Sequence, residues 1–315
     1  LELAGILGRR VTFVEDCLGP VARLAVERML PGEILLLENT RFHPGEQEND
    51  SEMASGLAEL ADIFVSDAFG SAHRRHSSIV GVAQMLPAVA GLLLEQELDY
   101  LGGVLRAPMR PFVSILGGAK IFDKIGLIES LLERADRVLI GGGMANTFFR
   151  AQGIDVGESL VENGVLKEAQ RLLERSGDKI LLPTEVVIAD RFDSDATFRS
   201  VIVSEGVANG WRILDIGAAT VAEFAICVGE AQMVFWNGPV GVFELAPFAA
   251  GTNALARLVA ESDATSIVGG GDSVAAVRQS GMAKNISHIS TGGGASLEFL
   301  QGRILPGVEV LNKVD

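Results

Sequence analysis

Cysteine is nearly absent from this chain. Cys17 and Cys227 are the only two in 315 residues, and they stand far apart. That excludes a disulfide framework and predicts reduced thiols in a cytoplasmic protein. Positive charge is also scarce: 26 Lys and Arg against 41 Asp and Glu give a net charge of -15. General nucleic-acid binding, which needs a basic surface, is therefore disfavoured. An anion site in such a chain has to be built from locally gathered cations and backbone N–H groups. The longest apolar stretch, IVGVAQMLPAVAGLLL at 79–94, is short for a membrane span and is interrupted by Gln84, Pro87 and Gly91. No signal-peptide pattern, low-complexity region or fixed-period repeat is visible. The first residue is Leu rather than Met, so the start is either processed or that of a fragment.

What is present is apolar matter: 48% hydrophobic residues against 21% charged. That is enough for a real core and excludes disorder. The length suggests two domains. Short β-branched runs alternate with helix-length segments. Strands are predicted at 11–15, 34–39, 63–69, 112–118, 137–143, 179–190, 212–217, 233–238, 266–271 and 288–294. Helices are predicted at 121–135, 163–176 and 247–262. Near-continuous apolar strands bounded by glycine suit parallel sheets covered on both faces. The series reads as βαβ, hence doubly wound α/β. The stretch LLLEQELDYLGGVLRAPMRP, 92–111, reads as a helix and a proline-flanked link between domains.

In open α/β sheets, ligands bind beyond the carboxyl ends of the strands. Glycine gathers there in the second half: Gly117-Gly118, Gly141 to Gly143, Gly238 with Gly241, Gly269 to Gly271, and Gly292 to Gly294. Any one run could be a plain tight turn. Five in one half-chain point to a bound nucleotide, because glycine exposes backbone N–H groups and helix starts bind phosphate. Neither the P-loop pattern nor a complete G-x-G-x-x-G with its acidic partner is present, which counts against a nicotinamide-dependent dehydrogenase. Lys120 and Lys124, in ILGGAKIFDKIG, are expected on one face at the start of a helix, where a phosphate would offset their repulsion from the helix dipole. Asp272 is expected to cap the helix after Gly269 to Gly271, and it also suits Mg²⁺ beside a phosphate site. In FWNGPVGVFE, Asn237 offers an amide, Pro239 stiffens the loop, Gly241 opens it, and Glu244 could accept from ribose hydroxyls.

In the first half, SDAFGSAHRRHSS gathers His73, Arg74, Arg75 and His76, and LENTRFHPGE carries Arg41 and His43. Arginine forks match carboxylate and phosphate geometry, so this cluster reads as a site for a small anionic substrate. A metal reading of these histidines is weaker, because no further ligand set accompanies them. His288 reads as a packing or strand-end residue.

Taken together, LENTRFHPGE, SDAFGSAHRRHSSIVG, LPAVAGLLLEQEL, ILGGAKIFDKIG, LIGGGMANTF, FWNGPVGVFE, VGGGDSVAAV and STGGGASLEFL closely resemble the phosphoglycerate kinase family, in the family's order and over nearly the whole chain. The resemblance implies two Rossmann-like parallel-sheet domains joined by a hinge helix. Domain boundaries follow at 1–94 for a phosphoglycerate-binding domain, 95–108 for the helix and hinge, 109–300 for a nucleotide domain, and 301–315 for a tail packing back on the first domain. It implies phosphoryl transfer between 1,3-bisphosphoglycerate and ADP, with Mg²⁺, in a cytoplasmic monomer. By position, Arg41 and Arg74 would bind phosphoglycerate. Gly118, Lys120, Lys124, Gly142, Gly143, Asn237, Pro239, Gly241, Val242, Glu244, Gly271, Asp272 and Ser273 would bind nucleotide, with Asp272 also engaging the metal. Lys124, Gly271 and Gly294 would act on the transferred group, and Gly292 to Gly294 would surround the phosphates.

Some positions depart from the family. Phe122 stands where a small residue is usual, Ala218 stands where proline is common, and Arg75 adds a charge to the cluster. The family's opening segment, with an Asp-x-Asn strand, an arginine and a His-Leu-Gly-Arg turn, is not found. ILGRR at 6–10 looks similar, but the adjoining VTFVEDC matches a later part of the family pattern. The resulting expectation is an incomplete first domain and a chain that binds nucleotide but turns over poorly. A non-catalytic nucleotide-binding protein is the alternative.

Overall fold

A computed structural model describes residues 2–312. The chain divides into two compact units, one running to Gln96 and resuming at Ile304, the other spanning Glu97–Arg303.

The first unit contains four short strands: β1 (Thr12–Val14), β2 (Leu35–Leu37), β3 (Phe64–Ser66) and β4 (Ala88–Ala90). They form two separate parallel pairs, β1 with β2 and β3 with β4. Ile79, Val80, Ala83 and Val310 are packed into one buried cluster, with Phe64 and Ala88 against it. The C-terminal segment belongs to this core: Gly307 N–H donates to Ala72 O at 2.8 Å. Residues 313–315 of the expected tail lie outside the described residues. Phe13, Val65 and Val89 stay about half exposed, at 54%, 54% and 51%, so one apolar strand face of each pair remains open among the described residues. Asp67 caps the long helix Leu92–Arg106, its Oδ1 accepting from Leu93 N–H (2.7 Å) and Leu94 N–H (3.0 Å).

The second unit holds β5 (Phe112–Leu116), β6 (Arg137–Ile140), β7 (Ile180–Leu181), β8 (Glu185–Ala189), β9 (Phe198–Ile202), β10 (Arg212–Ile216), β11 (Met233–Asn237), β12 (Thr265–Gly269) and β13 (His288–Ile289). Six of them make a parallel sheet in the order β13-β12-β11-β5-β6-β7. Every residue of β5 and β11 is buried, as parallel strands covered by helices on both faces require. Trp236, Ile115, Val268, Phe224 and Leu255 are fused into one core cluster.

Beside the parallel sheet lies a small antiparallel one, order β10-β8-β9. The apolar run 179–190, expected as one strand, is broken at Leu182-Pro183 and feeds two different sheets; proline cannot donate to a ladder. Two strands were not anticipated. β4 is hidden in the apolar run after Pro87, and β9 is an edge strand whose residues are mostly exposed. The other predicted strands run past the observed ends by one to five residues; in the second unit the overrun is the glycine-bearing turn that follows each strand.

One buried polar network ties the long helix into the second unit. Glu97, fully buried, accepts from His288 Nε2 (2.9 Å), Thr291 N–H (2.6 Å) and Thr291 Oγ1 (2.8 Å). Tyr100 stacks on the His288 ring at 4.5 Å. His288 is thus a buried strand-end residue. Burial pushes the Glu97 carboxyl up, but the hydrogen bonds from His288 and Thr291 outweigh it and hold it below its ordinary value. A depressed carboxyl contributes stability above its unfolded value and loses it as pH falls through the folded one. Glu97→Ala leaves His288 buried without its partner, which is expected to cost about 3 kcal/mol at neutral pH, less as pH approaches 4. Urea unfolding followed by emission of Trp211 and Trp236, both in this unit, checks it; an unchanged midpoint at pH 7 refutes it.

Candidate functional site

The glycine-rich tips of β5, β6 and β11 are stitched to one another through backbone groups. Gly117 N–H donates to Asn237 O (3.0 Å), Gly118 N–H to Pro239 O (2.8 Å), Gly142 N–H to Val240 O (3.0 Å) and Met144 N–H to Gly118 O (2.9 Å). Gly142 has φ +64°, and a Cβ there would come within 2.8 Å of Pro239 O and 2.9 Å of Gly118 N. Only glycine fits that crossing.

Lys124 closes the stitch. Its Nζ donates to Gly117 O (2.8 Å) and Asn237 O (3.3 Å), the carbonyl ends of β5 and β11. The residue is half-buried, but its ammonium is enclosed. Burial pulls its pKa down to about 8, against the opposing pull of Asp272 and Asp123. The expected pairing with Lys120 on one helix face is not found. The α-helix starts at Ile125, after a 3-10 turn at Phe122–Lys124. Lys120 lies before that turn, exposed in the loop. The two glycines and the buried Ile121 keep that stretch out of the helix, so the lysines are not stacked one helical turn apart. Phe122 is exposed.

Helix Gly271–Gln279 begins at the tip of β12. Asp272 does not cap it: the N-cap is Gly270, at φ +91°, with no side-chain cap bond. Asp272 is the helix's second residue, exposed, and its carboxylate is left free to face a ligand. Gly271 is open on its Cα side, with nothing within 4 Å. Ser273 and Asn237 are buried in support of the tips. Ser273 Oγ accepts from Gly238 N–H (2.5 Å), and Asn237 Nδ2 donates to Gly269 O (2.8 Å). The loop after β13 brings Gly292 to Gly294 to the start of helix Gly294–Leu300, with Gly294 exposed.

The loop Pro239–Glu244 is fixed from below. Thr252 Oγ1 accepts from Val240 N–H and Gly241 N–H, both at 3.2 Å. Asp215 accepts from Ile216 N–H (2.9 Å) and Gly251 N–H (2.8 Å) and presses against the Gly241 backbone. Burial raises the Asp215 carboxyl to about 7 despite those two bonds.

These elements enclose a cavity of about 760 Å³, within the range of small-molecule sites. Of the residues expected at a nucleotide site, Gly118, Gly142, Gly143, Pro239, Gly241, Val242, Glu244 and Asp272 line it. Lys120, Lys124, Asn237, Gly271, Ser273 and Gly294 are outside its lining. Asn146, Leu160, Phe192, Arg212 and Asp215 line it and were missed. They come from helix interiors, a loop and the antiparallel sheet, where no glycine run marks a strand tip. Two buried atoms in this lining have no hydrogen-bond partner, Asn146 Oδ1 and Arg212 Nε.

In the first unit, Arg41 lies two residues after Asn39, whose side chain accepts its backbone N–H at 3.0 Å. Arg41 and Arg74 are exposed and have no ion-pair partner among the described residues. His76 is buried with Nδ1 3.5 Å from the buried Glu46. Burial lowers its pKa against the opposing pull of Glu46, and the positive charges of Arg41 and Arg74 lower it further. Arg75 instead pairs with Glu309 at 3.7 Å. Asp16, Cys17 and His43 offer ligand atoms within 4.8 Å of one another. Asp16 Oδ1 is already engaged by Cys17 N–H, Leu18 N–H and His43 Nε2, which describes a hydrogen-bonded turn.

A model of the phosphoglycerate kinase family matches residues 1–303. The chain is 59% identical over 297 residues to the phosphoglycerate kinase of Roseiflexus sp. (strain RS-1), covering 93% of this chain and 75% of that one. It is 56% identical over 310 residues to that of Rubrobacter xylanophilus, covering 98% and 79%. Among solved structures, the phosphoglycerate kinase of Coxiella burnetii superposes with a TM-score of 0.89 at 41% identity, over 99% of this chain and 79% of that chain.

The geometry sets two outcomes. Gly142→Ala forces a side chain into left-handed backbone and against the β5 and β11 tips; it should lower thermal stability by about 1–2 kcal/mol or more and weaken nucleotide binding in calorimetry. Asp215, with its folded pKa raised above the unfolded value, keeps a proton that the unfolded chain releases between about pH 4 and 7. Its contribution therefore becomes less favourable as pH rises across that window. Asp215→Asn should gain stability relative to the unsubstituted protein by about 2 kcal/mol between pH 5 and 7; a difference independent of pH would contradict the assignment.

Proposed function

The chain belongs to the phosphoglycerate kinase family, and on that premise we propose how its residues share the work of the reaction. The activity is reversible phosphoryl transfer from 1,3-bisphosphoglycerate to ADP in glycolysis, giving 3-phosphoglycerate and ATP. The bond between phosphorus and the acyl oxygen breaks, a β-phosphate oxygen of ADP bonds to the same phosphorus, and 3-phosphoglycerate leaves as a carboxylate. Such transfer asks for positioning and charge neutralisation rather than covalent chemistry. No comparison favours the non-catalytic alternative.

The observation that carries the assignment of roles is the Lys124 ammonium, held by two strand-tip carbonyls beside an open helix start. A donor fixed before the substrate arrives stabilises developing charge without reorganisation. Lys124 acts on the transferred group, aided by backbone N–H groups at Gly271 and Gly294. Lys120, exposed in its loop, meets the outer phosphates. Gly118, Gly142 and Gly143 let the nucleotide approach the backbone closely. Pro239, Gly241 and Val242 line the base and sugar region, and Glu244 accepts from ribose hydroxyls. Asn237 and Ser273 hold the tips in register. In the first unit, the unpaired Arg41 and Arg74 bind phosphoglycerate.

The exposed Asp272 carboxylate, uncommitted to helix capping, fits Mg²⁺, a hard cation that takes one or two carboxylates plus phosphate oxygens. When bound there, the ion neutralises phosphate charge. We assign residues 1–94 to phosphoglycerate binding, 95–108 to the linking helix and hinge, 109–300 to nucleotide binding and 301–315 to the returning tail, in a monomer of the cytoplasm.

A coupled assay of ATP formation tests these roles. Lys124→Ala should lower kcat by about 100-fold or more, and Arg74→Ala should raise KM for the phosphoglycerate. For the unsubstituted protein, kcat/KM for ADP should fall as pH rises through about 8, where Lys124 loses its proton. Turnover left intact by Lys124→Ala would sink the assignment.

A further inference from the structure

Glu162 stands between the helix Gly142–Ala151 and the segment that carries Lys124. Its Oε2 accepts from Ile121 N–H and from Phe122 N–H (3.3 Å), the donors that open the 3-10 turn Phe122–Lys124. Ile121 is fully buried, so its N–H has no water to turn to and needs this acceptor. The carbonyl of the same residue accepts from Lys124 N–H at 2.8 Å. One residue thus joins the Glu162 carboxylate to the Lys124 backbone. Glu162 is itself held in place. Its N–H donates to Oγ1 of the fully buried Thr147 at 3.1 Å, and Leu160 O accepts from Asn146 Nδ2 at 3.2 Å. Thr147 and Asn146 belong to the helix whose start holds the other end of the loop, where Met144 N–H donates to Gly118 O. A single helix therefore fixes residues 118–124 at both ends.

Glu162 acts through the backbone and not as a charge. The carboxylates that bear on the Lys124 ammonium are Asp272 and Asp123, and Glu162 is not among them. Nor does Glu162 pair with a cation among the described residues. A carboxylate committed to two backbone donors makes strong, charge-assisted hydrogen bonds, and these hold the turn to one position. The two lysines feel this differently. Lys120 is exposed on a flexible stem and can follow a phosphate wherever the loop sits. Lys124, its ammonium enclosed by Gly117 O and Asn237 O, has no such freedom. A misplacement of about 1 Å at a group acting on the reacting atoms costs on the order of 100-fold in rate. Resting on the role proposed for Lys124, we propose that Glu162 is a positioning residue for phosphoryl transfer, setting where the Lys124 ammonium stands. Glu162 is outside the cavity lining, so its effect reaches the nucleotide by way of the turn.

The test compares the full chain with E162A, E162Q, K124A and the double variant E162A/K124A. It uses a coupled assay with MgADP, calorimetry of MgADP binding, and amide exchange read by mass spectrometry. E162A should lower kcat by about 10-fold or more, with affinity for MgADP changed by less than about 3-fold. E162Q keeps the size of the side chain and a neutral, weaker acceptor, and should lower kcat by only about 3-fold. On the K124A background, E162A should lower kcat no further, because the residue through which it acts is gone. Amides of 118–124 should exchange faster in E162A while those of β5 and β11 do not. That readout needs no turnover, and unchanged protection of this segment would overturn the proposal by itself. So would equal losses in E162Q and E162A, which assign the effect to charge, full additivity with K124A, or a loss confined to KM. Intact turnover in K124A would instead sink the reading of Lys124 on which this one rests.

Discussion

A lysine ammonium taken out of water needs acceptors fixed in place, and here they are main-chain carbonyls. Lys124 Nζ reaches Gly117 O and Asn237 O, which terminate neighbouring strands of one parallel sheet. Those carbonyls converge only because β5 and β11 pair in register from Met233–Phe112 to Asn237–Leu116, so both strands end at the same height. That register is set in turn by the core. Each residue of both strands is buried, and a slip by one would swap every side chain between faces packed by different helices. The placement of the Lys124 ammonium, the donor we propose for the transferred group, is therefore a consequence of sheet packing.

The same dependence explains which residues touch the cavity and which stand behind it. Asn237 and Ser273 are as buried as the hydrophobic core, and each holds a strand tip through one hydrogen bond. Thr252 and Asp215 do the same for the loop after β11. Polar groups at such depth must be satisfied, so each one specifies a geometry. The groups left unsatisfied, Arg212 Nε and Asn146 Oδ1, lie in the cavity wall, where a ligand can complete them.

How much of the fold and site was legible in the sequence depended on whether local pattern or distant packing decided the outcome. The βαβ alternation and the glycine runs are local signals, and they mark the parallel sheet and its tips. Lys120 and Lys124 are misplaced by local pattern because a spacing of four suggests helix, whereas the buried Ile121 and the preceding glycines keep that stretch out of the helix until Phe122. Asp272 reads as a cap because Asp favours that position, yet Gly270 supplies the left-handed turn itself. Ala218, standing where the family commonly has proline, is the first residue of its helix, a position that proline favours and alanine also suits. Asp215 and Arg212 carry no local mark at all: their places in the cavity wall arise where an antiparallel sheet meets the cavity, a contact between segments far apart in the chain.

Charge shows why an acidic protein can hold a polyanion. With a net charge of -15, long-range attraction cannot draw a nucleotide in, and salt screens what remains beyond about 8–10 Å. Affinity must come from short-range groups that are poorly compensated when the site is empty. Lys124 is such a group. Burial depresses it to about 8 while Asp272 and Asp123 only partly restore it. On the proposed assignment a polyphosphate beside Lys124 would supply more negative charge at closer range than either carboxylate, so that ligand and proton would reinforce each other on one nitrogen. Selectivity for an anion in an anionic protein thus rests on incomplete compensation inside the fold.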